Sequence, residues 1–181
     1  LFCKQVGKLL FLAIFVATAV PASSQADPGK DAAFKKTLRD RSAKIVAGLG
    51  IKKERKKEKI TSIIADQYYA LNKVHDNVKD NQEKAPQLEA LHAKFISKLN
   101  NKLTKDQVEK VKNGITYNVL NVTYTAYKDM ILSLTEEQKQ KIYNWLVKKK
   151  KKAMMEGSSE TRHKMFGKYK GKINNYLSGE G

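Results

Sequence analysis

The chain has 181 residues, 41% hydrophobic and 30% charged, with 36 Lys and Arg against 18 Asp and Glu and a formal net charge of +18. That apolar share excludes a disordered chain, and only three prolines exclude a loop-rich or collagen-like one. One cysteine excludes a disulfide scaffold and a cysteine-based zinc site, and three histidines leave little room for a His-rich metal centre.

The first element reads as a targeting segment. Lys4 and Lys8 form a short positive region, and Leu9 to Val20 is an almost unbroken apolar run. The run is shorter than the roughly 20 residues a spanning helix needs. Pro21 breaks it, and the small residues Ala22, Ser23, Ser24 and Ala26 follow, which is the order of a secretory signal peptide. Ser24-Gln25-Ala26 is the expected cleavage site, so residues 1–26 are assigned as signal peptide and 27–181 as a single helical domain. Cleavage removes Cys3, the only thiol, and suits an oxidising compartment. The expected location is therefore periplasmic or secreted, with membrane contact only through the signal segment or an anionic surface.

Beyond Lys30 the apolar residues recur with helical period, and strand alternation is nearly absent. A helix is expected from Asp31 to Ala47, ended by Gly48 and Gly50. A second runs from about Lys53 to Lys79, with Ile60, Ile63, Gln67, Leu71, Val74 and Val78 on one stripe widened by Ile64 and Tyr68. A third is placed after Pro86, which suits a first turn. Leu103-Thr104-Lys105-Asp106-Gln107 and Leu134-Thr135-Glu136-Glu137-Gln138 share the pattern L-T-x-x-Q, in which Thr caps a helix and Gln reaches back to the cap amide. Ile115 to Tyr127 is rich in Thr, Val, Tyr and Asn, and reads as a loop or short strand before a helix at Tyr124 to Leu132. A helix follows from Glu136 to about Met155, and a last one from Glu160 to Leu177, capped by Ser158 or Ser159. The expectation is a compact all-α bundle of six or seven helices.

Charge comes first among the functional signals. Lys52 to Lys59 holds six basic residues in eight, and Lys148 to Lys152 is five lysines in a row. Such runs are commonly solvated helix surface, yet the net charge attracts polyanions. Only Arg39, Arg41, Arg55 and Arg162 are arginines, so the charge lacks the residue favoured for base and phosphate recognition. Together with export, this argues against nucleic acid and for acidic polysaccharide, anionic lipid or outer-surface lipopolysaccharide.

In the last helix Gly167 and Gly171 lie one turn apart, each costing about 1 kcal/mol relative to Ala. Either another backbone or a ligand is expected close to them. Lys168, Lys170 and Lys172 flank them, Asn174 and Asn175 add amides, and Tyr169 and Tyr176 offer faces for sugar rings. These seven side chains are the candidate ligand-binding set. His75, His163 and Tyr169 are the weak catalytic candidates, and nothing in the sequence shows that the two histidines meet. No His pair has metal-ligand spacing, and no Gly-rich phosphate loop or G-x-S-x-G elbow is found, so neither metal nor cofactor is expected.

The segments Asn113-Gly114-Ile115-Thr116-Tyr117, Val122-Thr123-Tyr124, Leu134 to Gln138, Trp145-Leu146 and Gly167 to Leu177 resemble the bacterial family named domain of unknown function 3826. Gln67-Tyr68, Leu71-Asn72 and Val74-His75-Asp76 fit it too, and the similarity spans roughly residues 36 to 178. The resemblance implies a secreted protein of Gram-negative bacteria, often encoded beside pectin-degrading and other polysaccharide-utilisation enzymes. It carries no established activity. The lysine run at 148–152 departs from it by being more basic. The signal peptide, helices, charge and paired L-T-x-x-Q motifs are also similar to periplasmic chaperones of the Spy and CpxP type, which are shorter and lack the glycine-bearing tail. The leading expectation is an accessory protein that binds uronate-bearing, pectin-like polysaccharide. The alternatives are a chaperone for unfolded protein clients and a lyase acting on acidic polysaccharide.

Overall fold

A computed structural model describes residues 28–180; the expected signal segment and Cys3 lie outside the described residues. The helices are α1 (Pro28–Ala47), α2 (Glu54–Asn77), α3 (Asn81–Asn100), α4 (Lys105–Ile115), α5 (Val119–Met130), α6 (Glu136–Ala153) and α7 (Ser159–Gly179), and no strand occurs among the described residues. They form an all-α compact bundle.

Burial places the helices in two groups. Leu38, Val46, Ile60, Ile64, Tyr68, Phe95, Leu99, Val108 and Val111 make one core between α1 and α4. Leu120, Tyr127, Leu134, Ile142, Leu146 and Ile173 make a second between α5 and α7. Met154, just past α6, inserts into the first core and ties the groups together. In α2 the stripe is decisive. Lys53 gives no side-chain cap, a deficit of about 1 kcal/mol. Burial of Ile60, Ile64 and Leu71 to 1% exposure or less contributes about 2 kcal/mol each and outweighs it.

Both L-T-x-x-Q motifs close as full capping boxes: Thr104 and Thr135 accept from the amides of Gln107 and Gln138, whose side chains accept from the cap amides in return. Leu103 and Val108 are both buried in the first core. Ser158 caps α7 by accepting from Thr161 N–H.

Two expectations are corrected. The third helix starts at Asn81, not after Pro86, because Asp80 is a good cap and accepts from Gln82 N–H at 2.9 Å. Pro86 then sits inside α3 and removes one backbone donor. The stretch expected as loop or strand is helix α5 from Val119 onward. Leu120, Thr123 and Tyr127 recur at helical spacing and are buried, and that burial overrides the strand propensity of Thr, Val and Tyr.

Between α4 and α5 the chain turns sharply. Tyr117 and Asn118 both have positive φ, 54° and 55°. Two adjacent non-glycine residues in this region cost on the order of 1–2 kcal/mol each. The turn is held by Asn118 N–H donating to Asn113 O at 2.7 Å and by the buried Thr116 hydroxyl donating to Lys112 O at 2.8 Å.

Candidate functional site

Two places collect chemistry. The first is the seam between α6 and α7. Lys149 lies 4.4 Å from the centre of the Tyr169 ring, Lys172 lies 4.3 Å from that of Trp145, and Lys141 lies 4.0 Å from that of Tyr176. Trp145 and Tyr176 meet edge to face at 5.3 Å. Cations and rings therefore alternate along the seam, each ammonium attracted by a ring face. Burial holds the Lys149 ammonium below the ordinary lysine pKa, and repulsion from Lys152 and Lys168 adds to it against the pull of Glu156.

The lysine run on α6 is divided by its partners. Lys150 pairs with Glu109 at 3.1 Å and Lys151 with Glu89 at 2.9 Å, so these two fasten α6 to α4 and α3. Lys148, Lys149 and Lys152, with Lys141 and with Lys168, Lys170 and Lys172 of α7, form no direct ion pair with a carboxylate among the described residues.

The seven expected tail residues are not equivalent. Lys168, Lys170, Lys172 and Asn175 are exposed. Asn174 accepts from the Tyr127 hydroxyl, which fixes its carbonyl oxygen. Tyr169 and Tyr176 are half-buried beneath lysines. Gly167 and Gly171 are on the exposed side of α7, and a methyl group at either meets nothing within 4 Å. Close packing of another part of the chain does not explain them.

The catalytic candidates are dispersed. His75 Nε2 lies 2.9 Å from the Met155 carbonyl, which only accepts, so that nitrogen carries the hydrogen. The His75 ring also packs on Gly157, where a Cβ would stand 2.9 Å from it. His163 Nδ1 donates to the Ser159 carbonyl at 2.8 Å, and the ring packs on Tyr117 at 4.6 Å. Each histidine is thus tied to a different backbone carbonyl, one joining α2 to the α6–α7 turn, the other within α7. Tyr169 stands apart on the α6–α7 seam.

The second place is a cleft of about 620 Å³ where α1 and α2 face the α4–α5 turn. Arg41 and Lys44 come from α1, Tyr68 from α2, and Tyr117, Asn118 and Asn121 from the turn and the start of α5. Gly114 permits this approach: a Cβ there would stand 2.8 Å from Ile45 Cγ2. Tyr68 is only 4% exposed, and its hydroxyl has no hydrogen-bond partner among the described residues. Burial raises its pKa, against the influence of Arg162 and Arg41, so the phenol stays neutral and able to donate.

Behind Tyr68 lies Arg162, fully buried, with its guanidinium 4.9 Å from the ring centre. Its Nε donates to Ala153 O and one terminal nitrogen to Glu156 O, while Nη1 is buried without a partner.

A third depression, about 490 Å³ beside His92, is lined by Glu109 and by Lys112, Lys150 and Lys151, each of which is ion-paired. Burial raises the Glu109 pKa, but Lys112 and Lys150 outweigh it and hold the carboxyl ionised. Among the described residues no three His, Cys, Asp or Glu side chains gather as a metal ion requires. No described helix is long and apolar enough to cross a membrane.

The family model described as "Protein of unknown function (DUF3826)" matches residues 35–88 and 77–181. The chain belongs to this family. The matched region takes in the whole α6–α7 seam and every residue of the cleft, so both places lie within the family's common body. A search of the curated proteins finds no match to the chain.

Sequence reasoning missed the cleft. Tyr68 reads as one more stripe residue, and Arg41 as one charge among many. The available signal was Asn113-Gly114-Ile115-Thr116-Tyr117-Asn118, a segment whose Gly and Asn residues mark a turn.

Proposed function

We propose that the protein is exported, after cleavage near Ala26, and binds acidic, uronate-bearing polysaccharide along the α6–α7 seam. The observation that carries this reading is the row of lysines without carboxylate partners, held over Tyr169, Trp145 and Tyr176. A lysine resting on a ring has already lost part of its rotamer freedom, so an anion binds it at a smaller entropic cost. A carboxylate beside Lys149 relieves its repulsion with Lys152 and Lys168. In this reading the rings position cations, and sugar hydroxyls meet Lys168, Lys170, Lys172, Asn174 and Asn175 on the exposed flank. The test is affinity for polygalacturonate of Lys141→Ala/Lys149→Ala/Lys172→Ala against Lys52→Ala/Lys53→Ala/Lys56→Ala, which removes the same charge elsewhere. A loss confined to the first set supports the seam; equal loss in both reduces the reading to net charge.

A second reading, a chaperone for unfolded clients, is favoured by the apolar side chains left in solvent: Val122, Met130 and Leu132 are 62%, 69% and 88% exposed. Suppression of client aggregation near equimolar ratio, lost in Met130→Ser/Leu132→Ser, would support it.

A further inference from the structure

We infer that the cleft between α1, α2 and the α4–α5 turn is a separate binding site for a small carboxylate-bearing sugar, its carboxylate held by Arg41 and the Tyr68 hydroxyl.

The charge of the cleft calls for an anion. Arg41, Lys44 and Lys110 line it, and no Asp or Glu does. Lys110 is paired with Asp106 at 2.9 Å, but Arg41 and Lys44 have no carboxylate among the described residues. This sets it apart from the depression beside Glu109, where each lysine has a carboxylate partner.

The Tyr68 hydroxyl, to which no described residue is hydrogen-bonded, is the independent observation. The ring is buried, but the hydroxyl reaches the open space of the cleft, free to donate to a ligand there. Here the unpaired hydroxyl belongs to a wall of the cleft, and Arg41 lies 5.8 Å from the same ring. Arg162, uncompensated on the inner side, adds a positive field across the ring. An anion in the cleft accepts from the hydroxyl and is attracted by that field.

The remaining groups choose a sugar acid over a bare anion. Asn121 Nδ2 donates to Asn118 Oδ1, which leaves Asn121 Oδ1 as an acceptor and Asn118 Nδ2 as a donor. Sulfate presents only acceptors at neutral pH and has no use for the acceptor, and phosphate offers at most one or two O–H donors on a single centre. Sugar hydroxyls use both. Ile45 and the exposed edge of Gly48 give an apolar wall for a C–H face. The turn that carries Tyr117 and Asn118 holds two residues of positive φ, the kind of stored strain found at binding sites.

The site is tested on the full chain by calorimetric titration with D-galacturonate and D-glucuronate, with galactose and inorganic phosphate as controls. The expected result is one uronate per chain, no binding of galactose, and weaker binding of phosphate. Arg41→Ala and Tyr68→Phe are each expected to weaken uronate binding about tenfold or more, the loss of one charge-assisted hydrogen bond. Lys52→Ala/Lys53→Ala/Lys56→Ala, which removes three charges away from both places, is expected to bind the monomer unchanged, which separates a shaped site from net charge. Tyr68→Phe keeps the ring and its packing, so its outcome does not hinge on folding. No uronate binding up to on the order of 10 mM, equal binding of phosphate, or unaltered affinity in both variants overturns the inference.

Discussion

The guanidinium of Arg162 lies 4.9 Å from the centre of the Tyr68 ring, inside the bundle, and no carboxylate among the described residues pairs with it. Its bonds go to the carbonyls of Ala153 and Glu156, which end α6 and lead into the α7 cap. Arg162 thus links the end of one core to the edge of the other. Arg162→Ala takes the side-chain donor from the Glu156 carbonyl, leaves Ala153 O with the Glu156 amide alone, and opens a void, and is expected to destabilise by about 3 kcal/mol. Tyr68→Phe removes a hydroxyl that has no partner, and is expected to change stability by less than about 1 kcal/mol. Urea unfolding of both variants checks the contrast; similar losses would mean the hydroxyl has a structural partner after all.

Two glycines should respond with opposite sign. Gly114→Ala drives a methyl to 2.8 Å from Ile45 Cγ2 and is expected to cost about 1–3 kcal/mol. Gly171→Ala meets open space on an exposed helical face and is expected to stabilise by up to about 1 kcal/mol. Thermal melts of the two single variants decide it.

Acid should weaken the fold in two steps. Burial, aided by Lys151, holds the His92 pKa below its ordinary value of 6.5, and its buried Nδ1 has no partner. The unfolded chain then takes up a proton first, so stability present above pH 6.5 is lost as pH falls toward the folded-state value. Glu109, held below 4.5 by Lys112 and Lys150 despite its burial, adds a further loss below that pH. Stability measured from pH 7.5 to 4 should fall in the wild type and fall less above pH 5 in His92→Gln. A flat profile in the wild type contradicts this account.

The helical plan is plain in the sequence wherever one apolar stripe meets one cap. Thr104, Thr135 and Ser158 cap as their spacing indicates, because a capping bond is local and needs only its own turn. Asp80 was eclipsed by Pro86, whose preference for a first turn is weaker than a formed cap. The start of α5 is illegible because its residues favour strand and only burial against α6 and α7 decides otherwise. The seam was half legible: the tail lysines and tyrosines stand out, but Trp145, Lys141 and Lys149 belong to another helix and join them only through packing. The cleft was not legible at all, since Arg41, Tyr68 and Tyr117 come from three separate elements.

Each capping threonine should contribute about 1 kcal/mol, so Thr104→Ala and Thr135→Ala are expected to lower the unfolding free energy by that amount. They lie in different cores, and the double variant should be nearly additive. A strongly non-additive double variant would mean the two helix groups are coupled at their caps.

The most direct test of the functional account is gel retardation of the protein in polygalacturonate and in a neutral polysaccharide, at low and high salt. The account predicts retardation by the acidic polymer that partly survives salt and is lost in Lys141→Ala/Lys149→Ala/Lys172→Ala. Retardation by every polyanion that vanishes in salt, unchanged by that variant, would reduce the seam to a surface charge and contradict it.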